Sequence, residues 1–474
     1  MPALLIAVLC ALPGMSVAQE HRIPAAVAQA LNLAAIPPSS VAIFVQEVGS
    51  PRPRLEVNAA QPVNPASLMK LVTTYAALDL LGPAFTWNTA AYANGTVQGA
   101  NGELLDGDLV LKGGGDPKFT IENLWLFVRA LRSRGLREIR GDLVLDRTYF
   151  AASDHDPSQF DAEPLRPYNV GPDALLVNFK SFRFSFVPDA ERRTVAVIAE
   201  PRPASLSLVN AVKAADGPCG DWKERLRAEF QSNGNAARAA FAGAYPLSCG
   251  ERHWHVSLLS HSGYVGAVFR QLWEESGGIL RGGVRDGSVA PNARLLYSAE
   301  SPRLSEVVRD INKYSNNVMA RQLYLTLSAE MLRQPGAAMR SAKVVETWLG
   351  QRGLDFPELV IENGSGLSRA ERLGARHLGE LLLSAFNSAV MPEFVASLPL
   401  VANDGTMRKR LNEKTVAGQA HIKTGSLEGV KAVAGYVLGS NGKRHVVVFV
   451  VNHPNAANGQ AAQDALLQWV HGAG

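Results

Sequence analysis

Cysteine is scarce: 3 in 474 residues, too few for a disulfide-stapled scaffold and without the paired spacing of a structural zinc site. An excess of one charge is missing as well. The 47 Lys and Arg nearly balance 43 Asp and Glu, leaving +4 with His neutral, so neither nucleic acid nor an acidic membrane is required as a partner. Gly 42 and Pro 27 fall short of a low-complexity chain. The triplet around Gly113-Gly114-Gly115-Asp116 lacks the Gly-Lys-Ser/Thr ending of a phosphate loop, and Glu362 stands where a nucleophile elbow around Ser365 would need its first glycine. His253, His255 and His261 have no Asp or Cys at a ligand spacing, so no metal and no cofactor is expected. With 47% hydrophobic and 19% charged residues, the chain has the composition of a globular protein, long enough for about three domains.

The N-terminus carries an apolar run, Leu4 to Leu12, too short to span a bilayer, followed by Ser16-Val17-Ala18 before Gln19. Small residues at those positions suit signal peptidase, so residues 1–18 read as a secretory signal, although no Lys or Arg precedes the run. Cys10 is not a lipid-attachment site, because Leu9 occupies the place of a small residue. A soluble periplasmic protein with two cysteines, Cys219 and Cys249, is the expectation. Each lies beside a glycine in a loop-like stretch, and export favours their pairing; two buried thiols is the other reading.

Apolar periodicity organises the rest. Val41 to Val48 has the pattern of a strand, Gly49-Ser50-Pro51 turns, and Leu55 to Asn58 returns. Leu68, Leu71, Val72, Tyr75, Leu78 and Leu81 follow a helical period that opens at Ser67 and stops at Gly82-Pro83. From 84 to 297 the texture becomes short β-like runs. Two copies of GDLVL, at 107–111 and 141–145, flank a helical segment from Ile121 to Arg134, the pattern of a small α+β module. Alternation returns from Arg183 to Glu200. Pro302 to Leu327 is helical around Tyr314-Ser315-Asn316-Asn317; Ile422 to Gly425, Val433 to Leu438 and Val446 to Asn452 read as antiparallel strands before a last helix, Ala461 to Val470. Strands at both ends with helices between them predict one α/β domain split by a long insertion.

Ser-x-x-Lys occurs at Ser67-Leu68-Met69-Lys70 and again at Ser440-Asn441-Gly442-Lys443. The second falls in a hairpin turn, where nothing rigid would hold the pair. At the first, a helix puts Lys70 over Ser67, and a desolvated lysine can be the base that a serine nucleophile needs. A capping serine beside a solvated lysine is the bland alternative. Ser315-Asn316-Asn317 and Lys423-Thr424-Gly425, which follow in order, complete the three motifs of serine β-lactamases and penicillin-binding proteins.

The long stretch between the first two motifs resembles the class C low-molecular-mass penicillin-binding proteins, the D-alanyl-D-alanine carboxypeptidase/endopeptidases. LVLKGGGDP at 109–117, GDLVLDRTYF at 141–150, YNVGPDALLVNF at 168–179, NGSGLSR at 363–369, DGTMRKR at 404–410 and HIKTGSLEGVKAVAGYV at 421–437 look like the same family. Asn316 departs from a common Asp and Ser426 from a common Thr; both keep hydrogen-bonding capacity. The resemblance implies an α/β fold: a β-lactamase/transpeptidase-like domain, an antiparallel sheet flanked by helices, at 19–83 and 298–474. It is split by an inserted domain, mainly β or α+β, at 84–180 and 262–297, with a nested third domain at 181–261.

It further implies Ser67 as nucleophile, Lys70 as base, Ser315 and Asn317 as the link to the leaving amine and the peptide backbone, and Lys423, Thr424, Gly425 and Ser426 as the substrate-binding strand. Asp161, Glu163 and Tyr168 look like a family segment near the cleft that would receive a diamino acid's ammonium; a solvated loop is the alternative. Expected partners are peptidoglycan stem peptides, β-lactam antibiotics and possible cell-wall proteins, with no nucleic acid. The implied activity is D-Ala-D-Ala carboxypeptidase and cross-link endopeptidase. A β-lactamase or a non-enzymatic wall-binding scaffold remain the alternatives.

Overall fold

The two ends of the chain build one sheet. Val41–Glu47 pairs antiparallel with Leu55–Val57 on one side and Arg444–Asn452 on the other, and Val430–Leu438 and then Ala420–Leu427 extend it. In this computed structural model, residues 22–152 and 154–472 are described. The signal reading for 1–18 lies outside the described residues, and among these no helix is long and apolar enough to cross a membrane. Strand periodicity divides the sheet's side chains between two cores. Val446, Val448 and Val450 face helices Met69–Leu81 and Ala375–Phe386, whereas Val447, Phe449 and Val451 face Ala25–Leu33 and Gln460–Gly472. Met69–Leu81 is buried from Met69 through Leu78 on every side, so it is the central helix of the body rather than an amphipathic cover. Ala420–Leu427 is left at the sheet edge, where its outer side faces the start of that helix.

Between these ends the chain forms a second body. The GDLVL copies pair with each other: Leu109 with Leu143, Val110 with Val144 and Leu111 with Leu145, in parallel, with helix Ile121–Ser133 crossing between them. The repeat is therefore the parallel centre of a seven-stranded sheet that also holds Asn88–Gln98 and Arg294–Glu300. Two three-stranded sheets follow, one of Phe182–Asp189, Thr194–Glu200 and Arg252–Val256, the other of Leu206–Ala215, Leu226–Ser232 and Ala237–Pro246. Their rings pack together, Phe186 lying 5.2 Å from Phe241 and 5.7 Å from Tyr245. Cys219 and Cys249 are joined in a disulfide, with Cα atoms 4.7 Å apart. The bodies are tied at helix Asn317–Leu332: Asp173 N donates to Gln322 Oε1 at 2.8 Å, and Gln322 Nε2 returns a 2.8 Å bond to the Asp173 carbonyl.

Candidate active site

The chain enters the central helix under constraint. Asn64 Oδ1 accepts the Ala66 N–H at 2.9 Å, and Ala66 has φ +47°, a left-handed conformation that costs a non-glycine residue and recurs at functional sites. Gly366, at φ +78°, packs so close that a Cβ there would lie 2.0 Å from the Ala66 carbonyl oxygen and 2.8 Å from Ser67 Cα. Ser67 consequently sits in a 3-10 turn, Ala66–Leu68, and the α-helix proper begins at Met69. Apolar period alone opens the helix at Ser67; the side-chain bond from Asn64 tightens that first turn instead.

Lys70 lies one turn on. Its fully buried amine is 3.0 Å from Ser67 Oγ and 2.6 Å from Asn317 Oδ1, and it donates to the Ser365 carbonyl. Ser315 ends helix Leu304–Tyr314 in a left-handed conformation, φ +55°, and Asn316 caps the next helix by accepting the Met319 N–H at 3.0 Å. This places Asn317 at a helix start. An Asn at 316 suffices because the cap needs only an acceptor.

The edge strand closes the other side. Lys423 Nζ donates to Ser315 Oγ at 2.8 Å and to the Thr424 carbonyl at 2.6 Å. A Cβ on Gly425 would stand 3.2 Å from Ser67 N and 2.9 Å from the Pro65 carbonyl oxygen, so a glycine lets this backbone approach the serine. Thr424 Oγ1 meets Thr406 Oγ1 at 2.8 Å, and Ser426 is exposed. The competing Ser440-x-x-Lys443 lies in the hairpin turn, where Lys443 Nζ pairs with Glu47 at 2.7 Å.

Burial is the main force on both amines. It pulls Lys70 well below the ordinary lysine range, with help from the Lys423 charge and against the pull of Glu371. Burial also brings Lys423 down to about 7. A lysine that sheds its proton near neutrality and touches a serine hydroxyl can take the hydroxyl's proton.

The insertion brings some of its predicted residues together. Asp161 accepts from Tyr168 Oη at 2.8 Å and from Asn169 Nδ2 at 2.7 Å. Partial burial pushes its carboxyl up, but these bonds more than offset that and hold it below the usual range. Glu163 turns away and pairs with Arg166 at 3.4 Å on the exposed loop. Beside Asp161, Phe160 stacks under the Arg369 guanidinium at 4.9 Å, and Arg369 donates to the Glu428 carbonyl at 2.9 Å. A cavity of about 470 Å³ runs from Ser315, Asn317 and Val318 to Tyr168, Arg183 and Glu200 of the inserted body.

Three contributors escape sequence reasoning. Ser365 lies in the NGSGLSR stretch but reads there as a turn residue, with no sign that its carbonyl holds the Lys70 amine; backbone acceptors leave no mark in residue type. Thr406 lies inside the DGTMRKR stretch, but nothing in that pattern marks it as a partner of Thr424, and the buried Glu371 falls outside every stretch singled out. Of the histidines, His253 Nδ1 shares a 3.0 Å bond with Ser185 Oγ, and burial pulls His261 down to about 4 beside Asp173.

A family model described as D-Ala-D-Ala carboxypeptidase 3 (S13) matches residues 23–472. A D-alanyl-D-alanine carboxypeptidase of Actinomadura sp. (strain R39) is 28% identical over 420 residues, 85% of this chain and 76% of that protein. The D-alanyl-D-alanine carboxypeptidase DacB of Haemophilus influenzae is 22% identical over 417 residues, 87% of this chain and 85% of its own. Among solved structures, penicillin binding protein 4 (dacB) from Haemophilus influenzae matches with TM-score 0.77 at 20% identity, covering 93% of this chain and 99% of that one. A predatory peptidoglycan endopeptidase from Bdellovibrio bacteriovorus matches with TM-score 0.51 at 15% identity, over 90% of this chain and 92% of its own. At those identities the structures share a fold.

Proposed function

The chain belongs to the D-Ala-D-Ala carboxypeptidase 3 (S13) family and is a serine-type DD-peptidase, and from that premise we propose how its residues divide the work. Ser67 Oγ attacks the carbonyl between two D-alanines while Lys70 takes its proton. The N–H groups of Ser67 and Ser426 hold the oxyanion, each such donor contributing about 3 to 4 kcal/mol to transition-state stabilisation. The C–N bond then breaks, and the leaving amine receives the proton from Lys70 by way of the Ser315 hydroxyl, while Asn317 holds the Lys70 amine and the peptide backbone at the head of the cavity. Lys423 and Thr424 hold the terminal carboxylate. Water adds to the acyl-enzyme and returns Ser67 to its free form.

The observation that carries this reading is the fully buried Lys70 amine 3.0 Å from Ser67 Oγ. Asp161, hydrogen-bonded to Tyr168, is the acid for a diamino acid's ammonium at the third position of the stem peptide. The cavity that continues past Ser315 has room for the second strand of a cross-link, which supports endopeptidase cleavage. The same acylation chemistry makes β-lactams covalent inhibitors. The segment readings (19–83 with 298–474 catalytic, 84–180 with 262–297 inserted, 181–261 nested) and a periplasmic location after removal of residues 1–18 belong to the same proposal.

Incubation with a labelled penicillin tests it: a stable adduct on Ser67 in the wild type and none in Ser67→Ala is the expected result. Rapid turnover of the drug would point to a β-lactamase, and labelling of Ser67→Ala would remove Ser67 as the nucleophile.

A further inference from the structure

Glu371 is fully buried and has no part in the steps above. Its Oε1 accepts the backbone N–H groups of Glu362 and Asn363, both at 3.1 Å, while its Oε2 has no hydrogen-bond partner. Asn363 in turn shapes the turn that follows. Its Oδ1 accepts from Ser365 N at 2.9 Å and from Ser365 Oγ at 2.6 Å, and its Nδ2 donates to the Leu367 carbonyl at 3.0 Å. The Ser365 carbonyl then receives the Lys70 amine. A continuous chain of hydrogen bonds thus runs from one buried carboxylate to the base. We infer that Glu371 is a positioning residue for Lys70: it fixes the 362–366 turn so that the Ser365 carbonyl meets the amine, and its negative charge offsets the buried cations around that amine. The inference rests on the proposed role of Lys70 and deepens it.

The charged and titratable groups facing the pair come from several elements. Lys70 stands on the central helix, Arg321 and Tyr324 on helix Asn317–Leu332, Glu362 on the segment before the turn, and Lys423 on the edge strand. Lys423 and Arg321 push the Lys70 pKa down, and Glu371 pushes it up. Burial pushes the Glu371 carboxyl up, and the Lys70 ammonium draws it back down, so carboxylate and ammonium favour each other's charged form and titrate as a pair. Without the Glu371 charge, Lys70 would lose its proton at lower pH. A purely structural Glu371 would leave the Lys70 titration where it is.

Glu371→Gln keeps the shape and an acceptor oxygen for the two N–H groups but removes the charge. The rate of penicillin acylation at Ser67, measured against pH on the fraction that acylates, falls at low pH as Lys70 protonates. In Glu371→Gln this acid limb is expected to move down by about one pH unit. Glu371→Asp retains the carboxylate on a shorter arm, so its rate should drop while the limb stays at the wild-type position. A Gln variant that is slower with its limb unmoved would overturn the inference, as would Gln and Asp limbs displaced alike. Should the Gln variant not fold, a displaced Asp limb alone refutes it. Wild-type protein that fails to acylate at any pH would instead strike the proposed nucleophile and base, a failure distinct from that of Glu371.

Discussion

The body around Ser67 and the body inserted into it are both densely packed, but they bury different chemistry. Every buried lysine and arginine among the described residues lies in the first: Lys70, Lys313, Arg321, Arg410 and Lys423. The inserted body buries acids, Asp116, Asp146 and Asp173, and each accepts a nearby backbone N–H. Its core is otherwise apolar, aliphatic in the seven-stranded sheet and rich in rings around Phe186 and Phe241, and its ion pairs are largely exposed, as with Arg193 and Asp216 at 56% and 77% side-chain exposure. Such exposed pairs contribute little to stability. A buried cation is different, because desolvation opposes it and only specific partners compensate. One body therefore carries, in Lys70 and Lys423, buried amines placed against the site's serines at a cost in stability, and the other is stabilised by ordinary packing. Mutations should separate the two.

The largest separation is expected at Lys70. Lys70→Ala removes the proposed base, and acylation by any substrate or penicillin should fall about a thousandfold, within the usual range for general-base catalysis. Unfolding temperature should hold or rise, since a desolvated amine is lost with it. A large loss of stability at undiminished acylation rate would reverse the comparison.

Phe241 is the counterpart in the inserted body. Its ring meets Phe184 at 5.0 Å, Phe186 at 5.2 Å and Phe230 at 5.6 Å, and it is 1% exposed. Phe241→Ala should cost about 3–5 kcal/mol of local stability, read as earlier denaturant unfolding of the inserted region, with penicillin acylation of the folded fraction unchanged. Loss of acylation in protein whose inserted region remains folded would show that this core supports the cleft directly.

How much of this is legible in the sequence also differs between the bodies. Around Ser67, the motifs are readable because side chains carry the chemistry and period fixes which face they occupy: Lys70 over Ser67, Lys423 on an edge strand. The Ser365 carbonyl and the Ala66 backbone are not, since backbone geometry arises from packing partners such as Gly366, distant in sequence. In the inserted body, the GDLVL repeat is visible, but not that its copies pair with each other in register. The stretch 201–261 reads only as polar and alanine-rich; its strands Leu206–Ala215 and Leu226–Ser232 expose much of their length, which blurs the alternation that marks a half-buried strand.

The smallest expected effect decides whether the inserted body has any hand in substrate choice. Asp161 is held by Tyr168 and Asn169 on a loop of that body, and Phe160 beside it stacks on Arg369 of the catalytic body. Through Tyr168, which lines the cavity, Asp161 stands beside the cleft, while Glu163 is already occupied by Arg166. Because the site is open to water, one such contact is worth only about 0.2–1 kcal/mol, a change of no more than a few-fold. Asp161→Asn should therefore lower kcat/KM by that factor on pentapeptides whose diamino acid carries a free side-chain amine, and leave the rate on the same peptides acetylated at that amine unaltered. Penicillin acylation, which presents no such ammonium, is the internal control. An equal loss on free and acetylated peptides would reduce Asp161 to a support for its loop. No loss on either would confine recognition to the catalytic body and leave the inserted one without a role in choosing the peptide.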